Sequence, residues 1–410
     1  MFNQKQTIYL DYAAAAPLWP NVVAKMTEIM AQRGNPGSLH ADGYRMRQAW
    51  NQATDRIARL MGCQADELII TSGATESSNL AILGSIRSTD ITNSQIITST
   101  IEHPASYEPI KYLETLGTHV IWLPVDDYGQ INMEQLAKSL TSKTRLVSLI
   151  AAHNETGVIQ PIHRIIETIR MAEKSLRTKI LIHLDASQWA AWQRINPHHL
   201  DVDLLTISGA KIGGPAGLLY VKRGTLLQPI LYGGGQQHGL RPGTENVVDA
   251  IGLAEAIETT WQQLPSATTR IRDLRNQIAD TITQSFPAAI RRDQNNGLPN
   301  ILHVTIPELD AESAIYALSE MGIAVAAGSA CSTNQPEQKQ RILAALGIPV
   351  TDRASTLRIS LGWTTSIEDI TRAIPVMIGI LKQVSKKSAA LTSLRQTGRQ
   401  LSKKYAEGNQ

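Results

Sequence analysis

Two residues of the 410-residue chain have the types and placement that a Schiff-base cofactor requires. Asp185 ends the apolar run KILIHLD, and Lys211 follows the next such run, VDLLTIS. A pyridoxal cofactor needs a lysine amine to form an imine with its aldehyde and a carboxylate to keep its ring nitrogen protonated. Taken singly, the lysine fits a surface charge and the aspartate fits a helix cap. Together they predict a pyridoxal phosphate site.

The segment TSGATES, residues 71–77, is suited to hold the phosphate of such a cofactor. It joins a predicted strand to a predicted helix through glycine and small hydroxyl residues, so backbone N–H groups at the helix start can surround an anion. We expect Gly73, Ala74 and Thr75 to contact the phosphate. The segment also fits a simple helix cap with Glu76 in the first turn.

Three more polar residues, His103, Asn154 and Gln188, follow predicted strands of the same region. An imidazole at position 103 is placed to lie over an aromatic cofactor and to move protons. The two amides are suited to bond the cofactor's phenolic oxygen or a substrate carboxylate. Each side chain also has a purely structural alternative, in which it holds a loop in place.

The chain has only two cysteines, Cys63 and Cys331. Cys331 lies in AAGSACSTNQPEQK, where small and polar residues predict a loop. A thiolate on a loop can attack a substrate sulfur, form a persulfide and carry the sulfur to an acceptor. The alternative is a buried structural cysteine, which is our interpretation of Cys63.

The site residues must be positioned by a sheet with helices on its faces. Seven short β-rich runs alternate with helix-like segments: ELIIT, SQIITST, THVIWLP, RLVSLIAA, KILIHLD, VDLLTIS and AGLLYVK. This alternation predicts an α/β fold with a mostly parallel seven-stranded sheet. In such a sheet ligands bind at the carboxyl ends of the strands, where the site residues lie.

A smaller α+β domain is predicted after the Gly-rich stretch 232–243. Its pattern contains two helices, at 247–263 and 268–286, then the strand ILHVTI, a helix near 311–321 and the strand TLRIS. We expect residues 1–20 to belong with this small domain. The predicted ranges are 21–250 for the large cofactor-binding domain, 251–390 for the small domain with the cysteine loop, and 391–410 for a loosely ordered basic tail.

Composition excludes several classes of protein. With 42% hydrophobic and 18% charged residues, the chain is neither disordered nor fibrous. The net charge of +3 indicates no nucleic-acid partner, and the cysteines and histidines lack metal-site spacing. Few cysteines and no signal-like or membrane-spanning run predict a cytoplasmic protein without a membrane partner. The late basic residues fit a solvated surface, or an acidic partner.

The motifs resemble, in their order, those of the cysteine desulfurases of the NifS and IscS kind, in the class V aminotransferase family. The matching segments are IYLDYAAAAP, NPGSLHADG, TSGATESSN, IEHPA, HNETG, HLDASQ, SGAK, GGGQQHGLRPGTEN, GSACS and RISLG. The resemblance covers most of the chain. It implies a fold-type I pyridoxal-phosphate enzyme that converts L-cysteine to L-alanine and transfers the sulfur to its own cysteine, Cys331.

The resemblance also implies individual roles around the cofactor. It assigns the Schiff base to Lys211, the ring nitrogen to Asp185, stacking on the ring to His103 and the phenolic oxygen to Gln188.

Further roles implied by the resemblance concern the phosphate and the substrate. Thr75 and Ser208 hold the phosphate, and Thr244 reaches the phosphate of a neighbouring subunit in a homodimer. Arg358, with Asn154, grips the substrate carboxylate. The implied sulfur acceptor is an iron–sulfur scaffold or a thiolation carrier.

Two positions depart from the family pattern. Ala210 stands where the family usually has a histidine on the phosphate, and His238 replaces a common arginine. Losing one hydrogen bond to the phosphate weakens binding by about 1–3 kcal/mol. The alternatives left open are a selenocysteine lyase or an aminotransferase of the same fold, and a non-catalytic binding protein.

Overall fold

The computed structural model describes residues 7–293, 296–327 and 336–407. The described chain begins with a short strand, β1 (Ile8–Tyr9). Seven later strands form the largest sheet: β2 (Leu68–Thr71), β3 (Gln95–Ser99), β4 (His119–Leu123), β5 (Thr144–Ile150), β6 (Leu181–Asp185), β7 (Leu204–Ser208) and β8 (Gly217–Val221). These are the seven runs that the sequence predicts, so the predicted sheet is confirmed.

The strands of this sheet lie in the spatial order β2-β8-β7-β6-β5-β3-β4. Only β8 runs antiparallel to its neighbours within the sheet. Most of the strands are buried along their whole length, because helices cover both faces. Burial on both faces explains why they appear in the sequence as nearly continuous apolar runs.

Helices connect and cover these strands. Their bounds are α1 (Pro20–Met30), α2 (Ala41–Met61), α3 (Ala74–Arg87), α4 (Pro104–Thr115), α5 (Met133–Ser139), α6 (Ile162–Leu176), α7 (Pro197–Leu200) and α8 (Val247–Ser285). Strands β2, β3, β5, β6 and β7 point the same way, so their carboxyl ends lie at one edge of the sheet.

Helix α8 corrects the prediction of two separate helices. It continues through Pro265, which lacks the N–H that would normally donate to the carbonyl of Trp261. The guanidinium of Arg194 donates to that carbonyl instead, with its Nη2 at 3.0 Å. A side chain from another part of the chain thus supplies the missing donor, which the local sequence pattern does not reveal.

A second sheet lies beyond α8. Its strands are β9 (Ile290–Arg291), β10 (Ile301–Thr305), β12 (Ala326–Ala327) and β13 (Thr356–Ser360), in the antiparallel order β12-β13-β10-β9. The remaining elements are β11 (Ile323–Ala324), α9 (Ala311–Glu320), α10 (Pro336–Ala345) and α11 (Ile367–Glu407). The backbone of α11 continues as helix through most of the segment predicted to be a loose tail.

The N-terminal segment links the second sheet to the edge of the first. Strand β1 pairs in parallel with β11, and the Tyr12 amide donates to the Ser360 carbonyl at 3.1 Å. Further on, the Trp19 and Trp363 rings stack with their centroids 4.4 Å apart. The predicted domain boundaries stay predictions. Within the described residues, no helix combines the length and apolar character needed to cross a membrane.

Candidate active site

A cavity of about 350 Å³ lies at the carboxyl edge of the large sheet. This volume is in the range of small-molecule and cofactor sites. The residues that line it are Ala13, Gly73, Ala74, Thr75, His103, Ile150, Asn154, Asp185, Ser187, Gln188, Ser208 and Lys211. Nine of the twelve predicted site residues are among them. The others are Thr244, Arg358 and Cys331, and Cys331 lies outside the residues that the structure describes.

Asp185 and Lys211 reach the cavity from adjacent strands. Asp185 is the last residue of β6, and Lys211 ends a short 3-10 turn directly after β7. This turn is tight, because a Cβ at Gly209 would lie 1.8 Å from the carbonyl oxygen of Pro215. The Lys211 ammonium donates to the carbonyl of Ala14, in the N-terminal segment. The amine and the carboxylate therefore face one ligand space.

The Asp185 carboxylate is buried and accepts a hydrogen bond from the Ser187 amide at 3.0 Å. The Ser187 hydroxyl belongs to a residue that also lines the cavity, and it is buried with no hydrogen-bond partner among the described residues. A buried carboxylate and an unsatisfied hydroxyl both favour a polar or cationic ligand group. The protonated ring nitrogen of pyridoxal phosphate meets that requirement.

The start of helix α3 also lines the cavity, through Gly73, Ala74 and Thr75. Gly73 is its N-cap residue and, because it has no side chain, it provides no capping group. The first N–H groups of a helix have no partner within the helix, and its dipole favours an anion there. Glu76 binds elsewhere, since its carboxylate accepts from the Ser72 amide at 2.6 Å and pairs with Arg241 at 3.0 Å. The α3 start therefore fits a phosphate.

His103 is the N-cap residue of α4, and its Nδ1 accepts from the Ala105 amide at 3.2 Å. Burial lowers the pKa of this imidazole, and the Asp185 carboxylate only partly opposes the shift. His103 is therefore neutral near pH 7. With Nδ1 acting as an acceptor, its proton resides on Nε2.

Glu102 is a site neighbour that the sequence analysis missed. It is fully buried, and its Oε1 accepts from the Ile150 amide at 3.0 Å and from the Ser99 hydroxyl. Burial raises the pKa of this carboxyl to about 8. Its position next to His103 in IEHPA was the available signal, but a charged residue in a loop is normally interpreted as solvent-exposed.

Arg358 is placed at the edge of the site rather than in the cavity lining. Its guanidinium is buried, with Nη1 2.9 Å from Glu155 Oε1 and Nη2 3.0 Å from Asp11 Oδ1. Nη1 also donates to the carbonyl of Asn154 at 3.2 Å. It thus adjoins a cavity residue while already engaging two carboxylates.

The remaining predicted positions lie at different depths. Thr244, Ala210 and His238 are exposed and do not line the cavity. Gln188 is buried, and its amide donates to the Ala13 carbonyl at 2.8 Å. Cys63 is buried as well, and burial raises the pKa of its thiol to about 12, so this thiol is a poor nucleophile.

The cavity residues fit pyridoxal phosphate. Lys211 would hold its aldehyde carbon, Asp185 its ring nitrogen and the α3 start its phosphate. The lining residues that sequence reasoning missed are Ala13, Ile150 and Ser187. Within the described ranges, no group of three or more histidine, cysteine or acidic side chains is placed to hold a metal ion.

Comparison with known proteins gives the family. The class V aminotransferase model matches residues 8–373. The cysteine desulfurase IscS of Dictyoglomus turgidum is 34% identical, over 93% of this chain and 96% of its own length. The cysteine desulfurase IscS 1 of Archaeoglobus fulgidus is also 34% identical, over 93% of this chain and 98% of its own.

Solved structures agree with this assignment. A NifS-like protein matches with a TM-score of 0.85 and 29% identity, covering 92% of this chain and 99% of its own. DndA from Streptomyces lividans matches with a TM-score of 0.71 and 33% identity, covering 86% and 99% of the two chains. The chain therefore belongs to the class V aminotransferase family, within which it is a pyridoxal-phosphate-dependent cysteine desulfurase.

Proposed function

We propose that this desulfurase transfers the sulfur of L-cysteine to Cys331 as a persulfide and releases L-alanine. The observation that carries the proposal is the convergence of Lys211, Asp185 and the α3 start on one cavity. When bound, pyridoxal phosphate supplies an electron-withdrawing ring that stabilises negative charge on the substrate α-carbon.

The cavity residues have separate tasks in this proposal. Asp185 keeps the proton on the ring nitrogen, and Lys211 Nζ accepts the α-proton of the substrate and later returns a proton. His103, neutral and protonated at Nε2, would lie against the ring of the bound cofactor and would carry a proton near the reacting atoms. Thr75 and Ser208 hold the phosphate together with the backbone at the start of α3.

Substrate orientation is assigned to Arg358 and Asn154. Arg358 is already hydrogen-bonded to Glu155, Asp11 and the backbone of Asn154. A substrate carboxylate at this position would replace one of the two protein carboxylates as its partner. The Cys331 thiolate then forms an S–S bond with the substrate sulfur while the substrate Cβ–S bond breaks. The electron pair of that bond stays with Cβ, which takes up a proton to become the methyl group of L-alanine.

The direct test is mass spectrometry of the protein after incubation with L-cysteine. We expect one added sulfur on the peptide containing Cys331, together with alanine. Cys331→Ser should lose the adduct and retain the cofactor's visible absorbance. Cys63→Ser is the matched control, because the chain has only these two cysteines, and it should keep both adduct and activity. An adduct on Cys63 instead, or alanine formation by Cys331→Ser at the normal rate, would refute the proposal.

We further propose that the chain acts as a homodimer in which Thr244 contacts the phosphate in the second subunit's site. Thr244 is exposed and lies outside the cavity of its own subunit, which supports this arrangement. Light scattering should give twice the 44.8 kDa mass of one chain. Thr244→Val should weaken cofactor binding by about tenfold, the loss of one hydrogen bond to a charged group. A monomeric active enzyme would contradict this assembly.

The persulfide sulfur passes, in our proposal, to an acceptor protein of the iron–sulfur scaffold or thiolation-carrier class. Radiolabelled sulfur on Cys331 should transfer to a purified carrier of one class and not the other. If the labelled sulfur is transferred to neither class of carrier, the proposed acceptor is contradicted.

A further inference from the structure

Arg341, on helix α10, contacts the segment that carries His103. Its Nη2 donates to the Glu102 carbonyl at 2.9 Å, and its Nη1 donates to the Thr100 carbonyl. The guanidinium carbon lies 3.7 Å from the centroid of the Tyr107 ring. A planar guanidinium can satisfy carbonyls with its edge and an aromatic ring with its face at the same time, which an ammonium cannot.

These contacts bracket His103 in the sequence and in space. Thr100 and Glu102 precede the histidine, while Tyr107 follows it by one turn of α4. The histidine itself is held through the Ala105 amide, which donates to its Nδ1. The direction of the imidazole therefore depends on the relative position of two backbone segments, and Arg341 holds both of them.

Helix α10 provides Arg341 with its own support. The buried apolar residues that follow Arg341 form a small cluster separate from the main core: Ile342, Leu343, Leu346 and Ile348. Arg341, next to this cluster in the sequence, bonds α10 to the loop that follows β3 through the Thr100 and Glu102 carbonyls. Helix α10 begins at Pro336, five positions after Cys331 in the sequence.

We infer that Arg341 is a positioning residue that sets the orientation of the His103 imidazole towards the cofactor ring. It does so by connecting helix α10 to the backbone on one side of His103 and to Tyr107 on the other. It is not among the residues that line the cavity, and it acts through the 100–103 backbone and Tyr107. The inference rests on the proposed role of His103 in this desulfurase.

The test compares Arg341→Gln with the unmodified holoenzyme. Misplacing a reacting group by a fraction of an ångström to 1 Å costs about tenfold to a hundredfold in rate, so kcat for alanine formation should fall within that range. The KM for cysteine should change by less than about threefold, because Arg341 lies outside the lining of the cavity in which the substrate binds. The circular-dichroism band of the bound cofactor should change, because the orientation of His103 on the ring changes.

A readout without cofactor separates positioning from general damage. In the apoprotein, hydrogen exchange of the Ala105 amide, the donor to His103, should accelerate in Arg341→Gln by about tenfold. Tyr107→Leu should give an intermediate effect and Tyr107→Phe little, because phenylalanine retains the cation–π contact. Arg341→Lys should recover only part of the rate, since lysine cannot bond both carbonyls and the ring.

Arg353→Gln is the matched control. Arg353 also donates hydrogen bonds near α10, to the Ile348 carbonyl at 3.0 Å and to the Gln340 side chain at 2.9 Å. Unlike Arg341, it is not bonded to the carbonyls of Thr100 and Glu102. It should leave kcat and Ala105 exchange unchanged. Unchanged kcat and exchange in Arg341→Gln, or equal losses in Arg353→Gln, would overturn the inference. If instead His103→Gln retains full activity, the proposed role of His103 fails independently of Arg341.

Discussion

His103 and Glu102 are adjacent in the sequence, and burial shifts their pKa values in opposite directions, each towards the uncharged form. Burial lowers the pKa of the His103 imidazole and raises the pKa of the Glu102 carboxyl to about 8. Both shifts disfavour a charge beneath the sheet edge, where Asp185 is also buried.

Glu102 gives a testable pH dependence of stability. Its folded-state pKa of about 8 lies above the ordinary glutamate pKa of 4.5. The folded protein therefore holds a proton that the unfolded chain has lost, and the free energy of unfolding falls as pH rises from about 4.5 towards 8. The full effect above pH 8 is about 3–5 kcal/mol. Glu102→Gln should remove this decline, measured as the urea midpoint at pH 6 and pH 9.

The control for Glu102→Gln is Glu320→Gln, at an exposed position of α9. It should leave the difference between the two pH values unchanged. A Glu102→Gln protein with the same loss of stability from pH 6 to pH 9 as the unmodified enzyme would show that Glu102 is ionised in the fold.

The sequence predicted the residues whose chemistry follows directly from strand ends. Asp185 and Lys211 were found because a polar residue directly after an apolar run lies at the sheet edge. Glu102 and Arg341 were not found, since their importance depends on burial and on contacts between distant segments. An arginine shortly after a predicted loop and a glutamate shortly after a predicted strand have no local feature that distinguishes them from surface charges.

At the level of elements, helix α8 depends on a contact from outside its own sequence. Pro265 leaves the Trp261 carbonyl without its usual backbone donor, and Arg194 replaces that donor. The seven strands were predictable because burial on both faces produces apolar runs. The continuity of α8 was not, because proline normally ends or kinks a helix and the compensating arginine lies about seventy positions earlier.

Arg194→Ala should destabilise the protein by about 1 kcal/mol, because the Trp261 carbonyl loses its donor and is left partly unsatisfied. In a Pro265→Ala background the restored N–H can bind the same carbonyl, so the cost of Arg194→Ala should be smaller by roughly half or more. Urea unfolding of the four proteins in this double-mutant cycle measures the coupling. Equal costs of Arg194→Ala in both backgrounds would show that Arg194 acts through some other contact.

On the scale of the whole molecule, three fully buried histidines lie in or beside the two sheets. Burial lowers the pKa of His183 to about 4 and the pKa values of His153 and His303 to about 3. His183 bonds Ser148 and Thr206, whereas both ring nitrogens of His303 are buried without a hydrogen-bond partner in the part of the chain that the structure describes. Protonation of any of these imidazoles in the folded protein would place a charge in the buried interior, which is unfavourable.

The buried histidines change the free energy of unfolding with pH in the opposite direction to Glu102. Below the ordinary histidine pKa of about 6.5, the unfolded chain binds protons that the folded protein does not, so stability falls as pH falls. Each buried histidine adds up to about 1.4 kcal/mol per pH unit, and three add about 4. Glu102 opposes this loss by up to about 1.4 kcal/mol per pH unit, because its own contribution to stability rises as pH falls. The three histidines together outweigh it, so we expect the urea midpoint to drop between pH 6.5 and pH 5, before most carboxylates titrate.

His303→Asn should reduce the pH gradient of the unfolding free energy by up to about 1.4 kcal/mol per pH unit, whatever its effect on stability at pH 7, because one protonation step disappears. His163→Asn, at an exposed position of α6, is the control and should leave the slope unchanged. The slope of unfolding free energy against pH separates the two contributions, since packing losses shift the whole curve while a lost titration changes its gradient. An unchanged gradient in His303→Asn would mean that water or a partner reaches His303 and that the sheet interface around Arg358 is more polar than its burial indicates.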